Sequence, residues 1–345
     1  MPQSLKILSL LGFLMAALTG GAQTNDVSQR LESLQESYGH TEAKLSRQLN
    51  ELLWFQRLGE VARVDKILFT GPPPHNTNGM ALPSGSNDVI IPAMTFLPRE
   101  RHASSKLPLV VFVHGEIHGN VASDEEAVIV RELVQLGYAV IAPDYRGSAG
   151  YGGDYWRQID YGGLEIEDVH AARQAMLDLH PEISTNLVGI IGWSHGGAIA
   201  FLTVVRHPGE YQACYAGVPV SDLEGRIHAM GTNYESYFSA PYHVGKSLSE
   251  APGEYHRRSA AWNVDQLRTP LLIHANTSDE DVTFAEVQKL LTALQASGKA
   301  FEQHIYTNAP GGHHFNRLDT PLARQSRAEI WRFLAEYLHP EHAPK

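Results

Sequence analysis

Leu187-Val188-Gly189-Ile190-Ile191-Gly192-Trp193-Ser194-His195-Gly196-Gly197-Ala198 is the stretch on which the fold turns. Residues 187–191 form a short apolar run without polar alternation, which suits a strand buried on both faces. Over 195–206 apolar residues return at three- and four-residue spacing, which suits a helix. Between them Gly192-Trp193-Ser194-His195-Gly196 fits G-x-S-x-G. A turn from strand to helix this sharp needs small residues around the serine. It lifts the hydroxyl to the helix N-terminus above the sheet, where backbone N–H groups point outward. Alone, the pentapeptide also reads as a glycine-rich helix start with a capping serine. Its place between strand and helix favours Ser194 as a nucleophile on an elbow.

Working outward, eight apolar, β-rich runs cover 61–70, 88–96, 109–114, 138–142, 187–191, 213–218, 271–275 and 301–306. From the third run on they alternate with helical patterns at 123–136, 164–179, 195–206, 284–296 and 322–338. Strand and helix in alternation predict an α/β fold, a mostly parallel eight-stranded sheet between helix layers. The first two strands have no helix between them and are expected to form an antiparallel edge. Residues 61–345 are read as one catalytic domain.

Segments 71–87 and 221–263 read as loops rich in Pro, Gly and Asn. The second carries Tyr234, Tyr237, Phe238, Tyr242, Tyr255 and Trp262, and is expected to form a cap or pocket wall beside the active site. Residues 23–60 read as an N-terminal helical arm that packs on the main domain. Leu31, Leu34, Leu45, Leu49, Leu52, Leu53 and Phe55 recur near helical spacing, and Gly39 breaks the run. Ahead of it, Lys6, the apolar run 7–18 and the small residues Gly20 and Ala22 have the pattern of a secretory signal peptide, 1–22, cleaved before Gln23. A secreted or periplasmic location follows as an expectation. The apolar run is shorter than the roughly 20 residues a membrane span needs, and no cysteine follows for a lipid anchor.

With 345 residues, 43% of them hydrophobic, the chain can build one large core. Its net charge of −11 and lack of a Lys/Arg cluster exclude the basic footprint of a nucleic-acid binder. The only cysteine, Cys214, lies in an apolar strand run and is expected to pack in the core. That count excludes a disulfide within the chain, and with it a cysteine nucleophile and a structural zinc site are set aside.

A serine hydroxyl needs a base, and in an α/β-hydrolase the partners follow in the order Ser, Asp/Glu, His, each after a strand. Run 271–275 leads into Asn276-Thr277-Ser278-Asp279-Glu280-Asp281, and run 301–306 leads towards Gly311-Gly312-His313-His314-Phe315. Spacing leaves the acid open among Asp279, Glu280 and Asp281, and the base open between His313 and His314. The oxyanion donors are expected from the backbone N–H of His195 and from the segment His114-Gly115-Glu116-Ile117-His118-Gly119. Neighbouring His313 and His314 diverge and have no spaced carboxylate or thiol partner, so no metal and no cofactor are expected.

These segments together resemble the prolyl oligopeptidase family of serine peptidases, catalytic domain. Val113-His114-Gly115-Glu116 resembles its H-G-G-P loop, and Asp144-Tyr145-Arg146-Gly147-Ser148-Ala149-Gly150-Tyr151-Gly152 its Y-R-G-S-x-G-Y-G segment. Gly192 to Gly197 resembles G-x-S-x-G-G, Leu272-Ile273-His274 with Asp279 and Val282 resembles L-I-H-G…D-x-x-V, and Gly312-His313-His314-Phe315 resembles G-H-x-F. The resemblance spans roughly residues 60–340. It selects Asp279 as the acid and His313 as the base, and implies the amide of Glu116 as an oxyanion donor, with His114 as a second candidate.

Departures are visible too. Glu116 and Ile117 replace Gly and Pro, and the stretch from His274 to Asp279 is one residue longer. A helical arm stands where family members carry a β-propeller. The resemblance implies a Ser-His-Asp hydrolase acting through an acyl-enzyme on a small peptide or ester, a peptidase or a carboxylesterase. It leaves the oligomeric state open.

Overall fold

The structure, a computed structural model, describes residues 21–74, 88–100, 106–241 and 243–343. Residues 1–20, on which most of the expected signal peptide falls, most of the expected loop 71–87 and Tyr242 lie outside the described residues.

All eight apolar runs are strands of one sheet: β1 (Ala62–Gly71), β2 (Val89–Pro98), β3 (Leu107–Val113), β4 (Ala139–Pro143), β5 (Ile183–Trp193), β6 (Ala213–Gly217), β7 (Leu271–Asn276) and β8 (Glu302–Tyr306). Their order is β1-β2-β4-β3-β5-β6-β7-β8. β1 and β2 pair antiparallel, as does β2 with β4, and every later pairing is parallel. Side chains on a strand alternate between faces. On β3, Leu109, Val111 and Val113 enter one core, while Val110 and Phe112 enter the other. That double burial explains why the central strands read as unbroken apolar runs.

The helices are α1 (Gly21–Leu58), α2 (Ser123–Leu136), α3 (Gly153–Trp156), α4 (Leu164–Leu179), α5 (His195–Arg206), α6 (Leu223–Met230), α7 (Thr232–Phe238), α8 (Pro252–Arg257), α9 (Phe284–Ala296) and α10 (Pro321–Leu338). α2, α10 and the end of α1 cover one face of the sheet; α4, α5 and α9 cover the other. The chain leaves β3 towards one layer and β5 towards the other. Between these adjacent strands the winding direction reverses, which opens a crevice at their C-terminal ends.

Two expectations need correction. Gly39 does not break the first helix, which runs unbroken from Gly21 to Leu58. An exposed glycine inside a helix costs about 1 kcal/mol, which neighbouring turns absorb. Segment 221–263 is not a loop: it folds into α6, α7, α8 and a 3-10 turn at Ala260–Trp262. Asp222 caps α6 by accepting from Gly225 N, and Pro252 opens α8. Cys214 is buried in β6, and burial raises its thiol pKa.

Candidate active site

Ser194 sits at the head of α5 with φ 58° and ψ −124°, a left-handed backbone that few non-glycine residues adopt. Such a position costs on the order of 1–3 kcal/mol and persists only where its surroundings hold it. Here Ser194 N donates to Gly217 O at 2.9 Å, and Ser194 O accepts from Val220 N and Ala198 N. The flanking glycines are required by close approach. A Cβ on Gly192 would lie 2.2 Å from Gly196 O, and one on Gly196 would lie 2.3 Å from Val113 O.

Asp279 and His313 come from loops after β7 and β8. His313 Nδ1 lies 2.7 Å from Asp279 Oδ2, and both residues are buried. The other carboxylate oxygen, Oδ1, accepts from Asp281 N at 2.9 Å and Val282 N at 2.8 Å. A carboxylate so tied makes Nδ1 the protonated ring nitrogen and leaves Nε2 with its lone pair free. Asn276, which lies within the longer stretch, joins the two loops. Its Nδ2 donates to Ala309 O and Gly312 O, and its Oδ1 accepts from Ala309 N.

Ser194, His195, Gly115, Glu116, His313 and Asp281 all line one cavity of about 780 Å³. Glu116 adopts φ 58°, taking the left-handed turn with a side chain attached. Tyr145 Oη holds this loop by donating to His114 O and Glu116 O at 3.2 and 3.1 Å. Tyr145 is in turn followed by Arg146, whose buried guanidinium grips both oxygens of Asp168 on α4. The Y-R-G-S segment is therefore a brace behind the loop after β3. Glu116→Ala is expected to change kcat only a few-fold, because the residue offers its backbone amide. Loss of an oxyanion donor costs about two to three decades. A drop that large, with circular dichroism unchanged, would show that the carboxylate itself takes part.

His114 is not placed as an oxyanion donor. Its ring is buried and stacked on Tyr145 at 4.1 Å, and it does not line the cavity. Nδ1 lies 2.8 Å from Gly115 O and Nε2 lies 3.0 Å from Ser148 Oγ, whose hydroxyl donates to Tyr145 O at 2.7 Å. Burial pushes this ring down to about 4 and the ring of His195 down to about 3, so both are neutral near pH 7.

Segment 221–263 forms part of the cavity wall as expected, through Tyr234, Tyr237 and Arg226. Two residue sets in the wall were not singled out from the sequence. Arg226 on α6 is one, with Nε donating to Tyr234 Oη and a terminal nitrogen to Glu286 Oε2 at 3.0 Å. Ala43 and Ser46 of α1 line the cavity from the other side. Neither carries a motif; each reaches the cavity only through packing.

The buried histidines give a stability prediction. His114, His195, His243 and His274 are lowered by burial from 6.5 to about 4, 3, 3 and 3. The unfolded chain binds protons there below pH 6.5 and the folded chain does not, so their contribution is present above 6.5 and is lost as pH falls. Asp144 and Glu165, raised by burial to about 6 and 7, act oppositely and lose their contribution as pH rises. At pH 5 these six groups leave the unfolded state with about two more protons. Tm is therefore expected to fall between pH 7 and pH 5; a flat or rising Tm would contradict this balance.

A mostly parallel eight-stranded sheet with a serine elbow after β5, an acid after β7 and a histidine after β8 is the α/β-hydrolase fold. The sequence pattern of the prolyl oligopeptidase family matches residues 126–341, and the chain belongs to that family. It is similar to the uncharacterized peptidase YuxL of Bacillus subtilis (strain 168), 26% identical over 244 residues, which are 69% of this chain and 36% of that protein. It is also similar to the acylamino-acid-releasing enzyme of Mus musculus, 26% identical over 241 residues, 65% of this chain and 30% of that one. The chain thus spans about a third of the length of these curated relatives. Among solved structures, a Mycobacterium tuberculosis puromycin-hydrolyzing peptidase aligns with a TM-score of 0.66 at 23% identity. The alignment covers 81% of this chain and 40% of that one, and shows a shared fold.

Proposed function

We propose that this protein is a serine-type peptidase working through an acyl-enzyme. Ser194 is the nucleophile, His313 the general base and Asp279 the group that orients His313. The observation that carries this reading is the buried Asp279–His313 pair, with His313 in the wall of the cavity that the strained Ser194 turn also lines. His313 Nε2 takes the serine proton as Oγ attacks the acyl carbon. The oxyanion that forms is met by the backbone N–H groups of His195 and Glu116. His313 then returns the proton to the leaving amine, and water enters by the same route in reverse to release the acid. Neutral rings at His195 and His114 leave the proton traffic to His313.

The substrate is a short peptide or an acylated amino acid. A cavity of about 780 Å³ falls within the roughly 300–1,000 Å³ of small-ligand sites. The relatives named as a peptidase and as an acylamino-acid-releasing enzyme act on such amides by name. The test is a panel of peptide amides with matched esters, assayed for kcat/KM. Amide cleavage that requires Ser194 is the expected result. Ester turnover with no amide cleaved would replace the peptidase by a carboxylesterase using the same residues. Lys6, the apolar run and Ala22 further support export with cleavage before Gln23. N-terminal sequencing of the exported protein checks this, and an intact Met1 there would refute it.

A further inference from the structure

We propose that α1 is the contact surface of a homodimer, the helices of two copies pairing along Leu34, Tyr38, Leu45, Leu49, Leu52 and Phe55. These six large apolar side chains are 48–72% exposed. They are the arm's principal apolar residues, and they do not pack on the body of their own chain. The body is met by the opposite side of the helix. Trp54 and Leu58 are fully buried, Trp54 Nε1 donates to Val121 O at 3.1 Å, and Arg47 Nε donates to Gly150 O at 2.9 Å. Tyr38 and Arg47, Leu45 and Trp54, and Leu49 and Leu58 are each nine residues apart. At about 100° per residue, each pair points about 180° apart around the helix.

The spacing names the occupant. Leu31, Tyr38, Leu45 and Leu52 recur every seven residues, and Leu34 and Phe55 fall three residues after the first and last of them. This is the a/d pattern of a helix that pairs with another helix carrying the same repeat. Thr41 and Gln48 fill the two remaining d positions, polar groups that set register between helices and are costly in hydrocarbon.

The area is sufficient. Roughly 100 Å² from each of six side chains on two helices removes on the order of 1,200 Å² from water, the lower end of specific interfaces. A two-fold axis lets the same stripe serve both copies. Ala43, nine residues from both Leu34 and Leu52, points about 180° from the stripe and lines the cavity, so the pairing face is not the face that meets the cavity.

Sedimentation velocity of the purified protein at micromolar concentration tests this. The wild type should sediment at twice the chain mass. Leu45→Glu with Leu52→Glu should sediment as a monomer, with unchanged helical circular dichroism and activity within two-fold of wild type. Leu45→Ala with Leu52→Ala keeps the helix propensity and should weaken the dimer at least ten-fold, which guards against misfolding of the charged variant. A monomeric wild type, or a dimer unaffected by either variant, would overturn the proposal. So would a monomer that binds phosphatidylcholine–phosphatidylglycerol vesicles through the stripe.

Discussion

Ser194→Ala is expected to abolish turnover, with a loss of about six decades in kcat as seen in well-studied triads. It should also abolish labelling by a fluorophosphonate probe. The fold should survive. The Ser194 side chain makes no cap hydrogen bond to α5, and the turn is held by backbone bonds to Gly217, Val220 and Ala198 that alanine retains. Alanine also keeps the Cβ, so the left-handed strain neither rises nor falls. The measurement is paired: probe labelling and Tm on wild type and variant. Labelling that persists in the variant places the nucleophile elsewhere.

Asp279→Asn should cost about four decades in kcat, the loss that follows when the triad carboxylate is replaced by an amide. Asp279 Oδ1 accepts two backbone N–H groups, from Asp281 and Val282. An asparagine keeps those bonds by turning its carbonyl towards them. Its NH₂ then faces His313 Nδ1, which must accept instead of donate. The imidazole is forced into the other tautomer, Nε2 carries the proton, and no base faces Ser194. Asp281→Asn is expected to lose less than ten-fold, because the contribution of Asp281 to this arrangement is its backbone N–H. Equal losses in the two variants would mean that Asp279 is not the orienting acid.

Much of the architecture was legible because two periodicities dominate it. The central strands are buried on both faces and read as apolar runs; the helices that cover them repeat at three and four. Both signals are local. The elbow was legible for a similar reason. Gly192 and Gly196 stand where backbone approaches within van der Waals contact, and no other residue fits. The family pattern further narrowed the acid and the base to Asp279 and His313, the two residues the structure brings to 2.7 Å.

Other features depended on assembly. The arm shows the limit of periodicity. Its leucines predicted a helix that packs, and the helix exists, but Leu34, Leu45, Leu49 and Leu52 face solvent while Trp54 and Leu58 dock. Periodicity says which residues share a face and leaves open what that face meets. His114 carried a motif role as a donor, yet its ring turns to Ser148 and Gly115, a choice made by stacking on Tyr145. The stretch from His274 to Asp279 stood out only as one residue longer, until the amide of Asn276 within it was seen to tie the acid loop to the histidine loop.

Local order in the chain thus settles the strands, the covering helices and the serine turn, since hydrophobic period and steric exclusion act between near neighbours. The meeting of Asp279 with His313, the cation of Arg226 in the cavity wall and the lining of that cavity by Ala43 and Ser46 were decided by the tertiary structure. Each of these joins residues far apart in sequence, and their contact exists only once the sheet has set the positions of its loops.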